Sequence, residues 1–145
     1  MSRSLPGHLP PGHTETVPLV RIDLVRGRSA EQVRALADTV QEVMLDVFAA
    51  PPRDRYQVIH QHDPGEILAE DTGLGLTRTD GVTVIQVTQQ GRSREQKEAL
   101  YAALTQRLGD AGLVDPDDLI VSVTENTKDD WSFGRGRAQF LTGEL

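Results

Sequence analysis

Residues 27–32 read GRSAEQ and residues 91–96 read GRSREQ, identical at five of six positions. The spacing recurs along the chain. Arg28 and Arg92, Pro52 and Pro116, and Asp54 and Asp118 each stand 64 residues apart. A register kept over so much sequence marks two copies of one structural unit. Any fold for this chain has to build the same segment twice.

The first copy opens with PLVRIDLV (18–25), where apolar and polar residues alternate as on a strand. Ser29 with Gln32 then forms an S-x-x-Q capping box, which satisfies orphan N–H groups at a helix start. Val33, Leu36, Ala37, Val40, Val43, Met44 and Val47 follow at spacings that make one apolar stripe. Pro51 and Pro52 end the helix, and RYQVIHQH (55–62) reads as a second strand. The second copy runs through GVTVIQV (81–87), a helical stripe of Leu100, Ala103, Leu104, Leu108 and Ala111, and the strand DLIVSVTEN (118–126). A parallel β-α-β crossover is right-handed and lays its helix on one sheet face. Two of them predict an α+β fold, a four-stranded sheet with two helices on one face. The other face needs a cover, and further copies of the chain are the simplest one. Short extra elements are expected in 64–80 and 127–145.

At 145 residues the chain is one domain, with a net charge of −7 and a pI near 5.0. That acidity argues against partners such as nucleic acid or a membrane surface. No apolar run reaches the ~18 residues of a membrane span. There are no cysteines, which excludes disulfides and thiolate chemistry. Residues 1–17 hold three prolines, two histidines and two glycines with little apolar content, and are expected to be a disordered extension to a domain spanning 18–145. They contain no apolar signal-peptide core, so a cytoplasmic location is expected.

Few residue sets carry chemistry on spacing alone. His60-x-His62 offers two imidazoles with Asp63 as the near third ligand, which is short of a metal site, and no metal or cofactor is expected. GLGLTR (73–78) reads as a turn. Arg92 and Arg94 flank the second capping box, and an arginine just ahead of a helix N-terminus suits a carboxylate. Arg28 holds the equivalent place in the first copy, so repetition alone also accounts for Arg92. Asp54 likewise has Asp118 as its counterpart. Three of the six aromatic residues, Trp131, Phe133 and Phe140, fall in the last fifteen residues. Such a tail is either docked core, the ordinary outcome, or the wall of an apolar pocket.

The ordered set of a strand opening on Pro18, GRS, a helix, PRDRYQV, a second GRS helix and WSFG…AQF resembles the tautomerase superfamily, and within it the malonate semialdehyde decarboxylase-like branch. The resemblance covers Pro18 to Leu145. It implies the tautomerase fold as a homotrimer and, as catalyst, a proline whose free secondary amine is the chain terminus. It also implies that Pro18 is this proline and that Asp54 sets its protonation. Arg92 would hold the substrate carboxylate, and Trp131, Phe133, Phe140 and Leu145 would form an apolar wall. Gln90 stands where the family pattern has a second arginine, with Arg94 as a candidate substitute in substrate binding.

The function so implied is a lyase that decarboxylates a small 3-oxo acid such as malonate semialdehyde, with hydratase activity at the same site. The alternatives are a keto–enol tautomerase of a small oxo acid and, with the extension retained, a non-catalytic trimer that binds a small acid. A proline inside a chain has an amide nitrogen that is neither basic nor nucleophilic. Val17 precedes Pro18, and a GTG codon used for initiation is read as methionine, which aminopeptidase removes ahead of proline. A native start at Pro18 is therefore expected.

Overall fold

The structure, a computed structural model, describes residues 17–145. The first unit consists of β1 (Leu19–Val25), α1 (Ala30–Val47) and β2 (Tyr56–His62). The second consists of β3 (Thr83–Gln90), α2 (Arg94–Asp110) and β4 (Leu119–Asn126). The strand order is β2-β1-β3-β4, with parallel outer pairs and an antiparallel central pair. This is the tandem β-α-β architecture expected from the repeat.

Both helices begin as their sequences dictate. The Ser29 hydroxyl accepts from the Gln32 N–H at 3.1 Å, and the Gln32 carbonyl oxygen accepts from the Ser29 N–H at 2.8 Å. Ser93 and Gln96 repeat the exchange at 3.1 Å in each direction. From these caps the apolar stripes fall onto the sheet. Leu36, Val40, Val43 and Met44 of α1 and Leu100, Leu104 and Leu108 of α2 bury against Val20, Ile22 and Leu24 of β1 and Ile85 and Val87 of β3. Ala111 departs from the expected stripe: it is the C-cap of α2, just past the last helical residue Asp110, and is exposed. On the other sheet face Leu19, Tyr56 and Val58 are exposed.

The spacing of the repeat is not uniform. Tyr56 and Ile120 are 64 residues apart, but their neighbours in register are Leu19 and Val84, which are 65 apart. The inner strands are therefore related by one residue more than the helices and outer strands. The difference is absorbed between strand and cap, where Arg26–Arg28 has three residues and Gly91–Arg92 has two. On this correspondence Pro18 matches Thr83 and Leu24 matches Gln89.

Residues 64–80 form turns without a helix or strand, unlike the expectation of short elements there. The segment is pinned by side chains instead: the Asp71 carboxylate accepts the N–H groups of Gly73 and Gly75 at 3.0 Å each. The tail does hold short elements, a 3₁₀ turn at Lys128–Asp130 and the one-turn helix α3 (Gln139–Thr142). Among the described residues no helix is long and apolar enough to cross a membrane.

Candidate active site

The site lies at the end of the sheet where β1 and β2 begin and β3 and β4 finish. A pocket of about 290 Å³ opens there, lined by Val17, Asp54, Tyr56, Phe133, Gln139, Glu144 and Leu145. Val17 is 1% exposed and Pro18 beside it is buried. Asp54 reaches the pocket because the turn after α1, with the Asp54 N–H donating to the Pro51 carbonyl at 3.1 Å, delivers it just ahead of β2.

A second observation marks the same end of the molecule. Five buried side-chain polar atoms have no hydrogen-bond partner among the described residues: both ends of the Gln89 amide, Gln90 Nε2, Asn126 Oδ1 and Trp131 Nε1. All belong to the last residues of β3 and β4 or to the segment after β4. Gln90 and Asn126 are register partners. Buried polar groups are normally paired, so an unpaired group concentrated in one place needs a local reason.

Arg92 is half-buried and turned to backbone. Its Nε and Nη2 donate to the Phe48 carbonyl at 3.0 and 2.7 Å, and its Nη1 donates to the carbonyls of Gln90 and Gly91 at 3.2 Å each. The guanidinium also stands 5.6 Å from the Phe48 ring centre. Burial holds its pKa below the ordinary arginine value. Arg28 does the same for the other unit, donating to the Leu113 carbonyl at 3.0 Å and the Gly81 carbonyl at 3.1 Å. Each arginine thus ties the start of its own helix to the end of the opposite one.

The two units differ in how their acids are enclosed. In the second half Asp118 is 1% exposed and accepts the Thr79 N–H at 2.7 Å, so its own chain closes the space around it. In the first half the corresponding Asp54 is only partly covered and lines the pocket. One acid is structural and enclosed; its counterpart faces a cavity.

The aromatic tail does not dock into the core. Trp131, Phe133 and Phe140 are half-buried and none joins the core cluster, because the core is already closed by the two helices on the other side of the sheet. Instead Phe133 packs 5.6 Å from Tyr56, stacks at 4.8 Å on Trp131 and meets Phe140 edge-on at 5.5 Å. Phe133 and Leu145 line the pocket, while Trp131 and Phe140 brace Phe133. Arg94 is exposed at the first position of α2 and lines no part of this pocket. Tyr56, Gln139 and Glu144 were not singled out from sequence. The PRDRYQV stretch contained Tyr56; Gln139 earns its place by accepting the Phe133 N–H at 3.0 Å, a contact no spacing rule announces.

The histidine pair acquires a different neighbour from the one its spacing suggested. Asp63 pairs with Arg26 at 3.0 Å, whereas Asp23, across from His60, brings its Oδ1 to 2.7 Å from His62 Nε2. Asp23, His60 and His62 offer ligand atoms within 4.8 Å of one another. Arg21 already grips both Asp23 oxygens at 2.9 and 3.0 Å, however, which supplies the positive charge a cation would bring.

The chain matches two models of the tautomerase enzyme family, over residues 18–77 and 54–134. It is 43% identical over 129 residues to the probable tautomerase YrdN of Bacillus subtilis (strain 168), covering 89% of this chain and all of that protein. Probable tautomerase YusQ of the same strain is 35% identical over 86% of this chain and 99% of its own length. Among solved structures, a malonate semialdehyde decarboxylase superimposes with a TM-score of 0.82 at 47% identity, covering 88% of this chain and 98% of that one. The FG41 malonate semialdehyde decarboxylase inhibited by 3-bromopropiolate gives 0.82 at 49% identity, covering 88% and 97%. A fused 4-OT symmetric trimer shares the fold with a TM-score of 0.70 at 19% identity, covering 86% and 98%.

Proposed function

This chain belongs to the tautomerase superfamily, in the branch of malonate semialdehyde decarboxylase, and we propose that it decarboxylates a small 3-oxo acid using the secondary amine of Pro18 as the terminal group of the active form. The observation that carries the proposal is the pocket itself: about 290 Å³, it joins the residue before Pro18, the carboxylate of Asp54 and an aromatic wall. That volume lies at the small end of ligand pockets and leaves ample room for a small acid. The similar decarboxylase is described with decarboxylase and hydratase activities and with a variant that loses a proline at its first position.

The chemistry follows from charge. Asp54 and Glu144 both line the pocket and favour the protonated amine over the neutral one. A Pro18 ammonium donates to the carbonyl oxygen of the 3-oxo acid. The bond between the α-carbon and the carboxylate then breaks, its electron pair moves into an enol at the polarised carbonyl, and carbon dioxide leaves. A proton returns to the α-carbon to give the aldehyde. Phe133, braced by Trp131 and Phe140, keeps water from the developing charge and strengthens the donor. Arg92 supplies positive charge for the departing carboxylate, through the Nη1 arm whose bonds to Gln90 and Gly91 are its longest. Leu145 on the pocket wall and Gln90 at the end of β3 complete the substrate contacts, and Arg94, outside the pocket, does not substitute for the missing second arginine.

The same groups serve a tautomerase if Pro18 is neutral and acts as base; the two carboxylates favour decarboxylation. In the active assembly three copies cover the exposed sheet face. A panel of 3-oxo acids, enol-keto acids and haloacrylates, run on protein beginning at Pro18, tests the reading, with sedimentation of the same sample. Turnover of malonate semialdehyde by a trimer supports it. Turnover confined to enol-keto acids would make the protein a tautomerase, and no turnover by a monomer would sink both.

A further inference from the structure

Gln89 is 1% exposed, and neither end of its carboxamide has a hydrogen-bond partner among the described residues. The repeat supplies a control for this position. Its counterpart in the first unit is Leu24, 0% exposed and part of the apolar core. Packing is thus satisfied by leucine at this place in the fold, and the second unit carries an amide for another reason.

The register shows what the amide faces. On β1 and β3, Leu24 stands across from Thr83. The same relation in the other direction sets Gln89 across from Pro18, one step beyond the registered pair of Leu19 and Thr88. Alternation agrees, since Val20 and Val87 bury on the helix side and Pro18 and Gln89 fall on that side too. Side chains directly opposed on antiparallel strands have Cβ atoms about 4.5–5.5 Å apart, within the reach of a glutamine. A peptide-bonded Pro18 has no N–H to give, and the amide is left unpaired. A terminal Pro18 ammonium has two.

We infer that Gln89 is the positioning residue of the Pro18 amine, its Oε1 accepting one ammonium N–H and directing the other at the substrate carbonyl. This rests on the reading that Pro18 is terminal in the active form. Other charges face the same region: Asp54 and Glu144 from the pocket, Arg92 ahead of α2, and the Lys97–Glu125 pair, whose Glu125 is the register neighbour of Gln89 on β4. They act in every variant alike, so a change at Gln89 isolates the amide.

The test uses protein beginning at Pro18 and reads the amine directly through the ¹⁵N shift of Pro18 as pH is varied. Gln89→Leu installs the residue of the equivalent position, and Gln89→Met keeps the length if leucine does not fold. Losing an acceptor for the cation should lower the amine pKa by about one unit. The alkaline limb of kcat/KM should move by the same amount. In the full chain, where Pro18 has no N–H to give, the same substitution should hold or raise thermal stability because an unpaired buried amide has gone. An unchanged Pro18 pKa in a folded variant overturns the inference, whatever the turnover. A shifted pKa in protein that turns over no oxo acid upholds the positioning role and rejects the proposed reaction instead.

Discussion

Arg92→Ala and Arg28→Ala form an internally controlled pair, because the repeat gives both arginines the same structural task. Each guanidinium donates to backbone carbonyls at the end of the opposite helix, Arg92 to Phe48 at 2.7 and 3.0 Å and Arg28 to Leu113 at 3.0 Å. Removing either leaves partly buried carbonyls unpaired, at about 1–3 kcal/mol. For a domain of this size that lowers Tm by about 2–12 °C, similarly in both variants. Only Arg92 follows a strand, β3, that finishes at the end of the sheet where the pocket opens. If its charge also holds a substrate carboxylate, Arg92→Ala loses a further ~2–4 kcal/mol of transition-state stabilisation, or ~30- to 1000-fold in kcat/KM. Steady-state turnover of malonate semialdehyde, measured well below both melting temperatures, separates the two effects. Equal losses of activity with equal losses of stability would refute the carboxylate role and leave Arg92 a tie between helices.

Gln90→Arg should raise kcat/KM for malonate semialdehyde about tenfold, since a charge-assisted donor replaces the unpaired Gln90 Nε2; a fall in initial-rate assays would mean the substrate presents a different group there. Ala49→Gly should stabilise the fold by about 0.5–1 kcal/mol in chemical denaturation, because Ala49 ends α1 at φ 51, where a β-carbon is strained; a loss of stability would contradict this. Asp38 has its carboxyl held below the usual range by the hydrogen bond from Arg55, and next by Arg34. Its stabilising contribution is present above the unfolded pKa of about 4 and is lost as pH falls through the lower folded value. The stability gap between wild type and Asp38→Asn should therefore close below about pH 4, and a gap that persists at pH 2 would show that charge is not its cause.

Much of this fold was legible because it is written twice. Ser29/Gln32 and Ser93/Gln96 announced both helix starts, and the leucine and valine stripes after them chose the buried face. The one-residue slip between the inner strands was not legible, since GRS, Pro52 and Asp54 all keep the shorter spacing and only hydrogen-bonded register shows that Leu19 answers to Val84. The candidate site divides in the same way. Asp54 and Phe133 were readable from PRDRY and WSFG by resemblance. Their difference from Asp118 and from a core aromatic was not, because it depends on which half's chain closes over its own acid. Gln89 was invisible in sequence: a glutamine ending a strand is ordinary until both of its amide atoms are found buried and unpaired.

The central claim is that Pro18 works through a free amine, and turnover by two forms of one protein tests it most directly. One begins at Pro18; the other is the full chain, its intact start verified by mass. A peptide-bonded nitrogen can neither donate a proton nor attack a carbonyl. The form beginning at Pro18 should decarboxylate malonate semialdehyde, and the full chain should be slower by at least ~100- to 10,000-fold, the usual worth of a positioned acid or base. Equal turnover by the verified full chain would contradict the account.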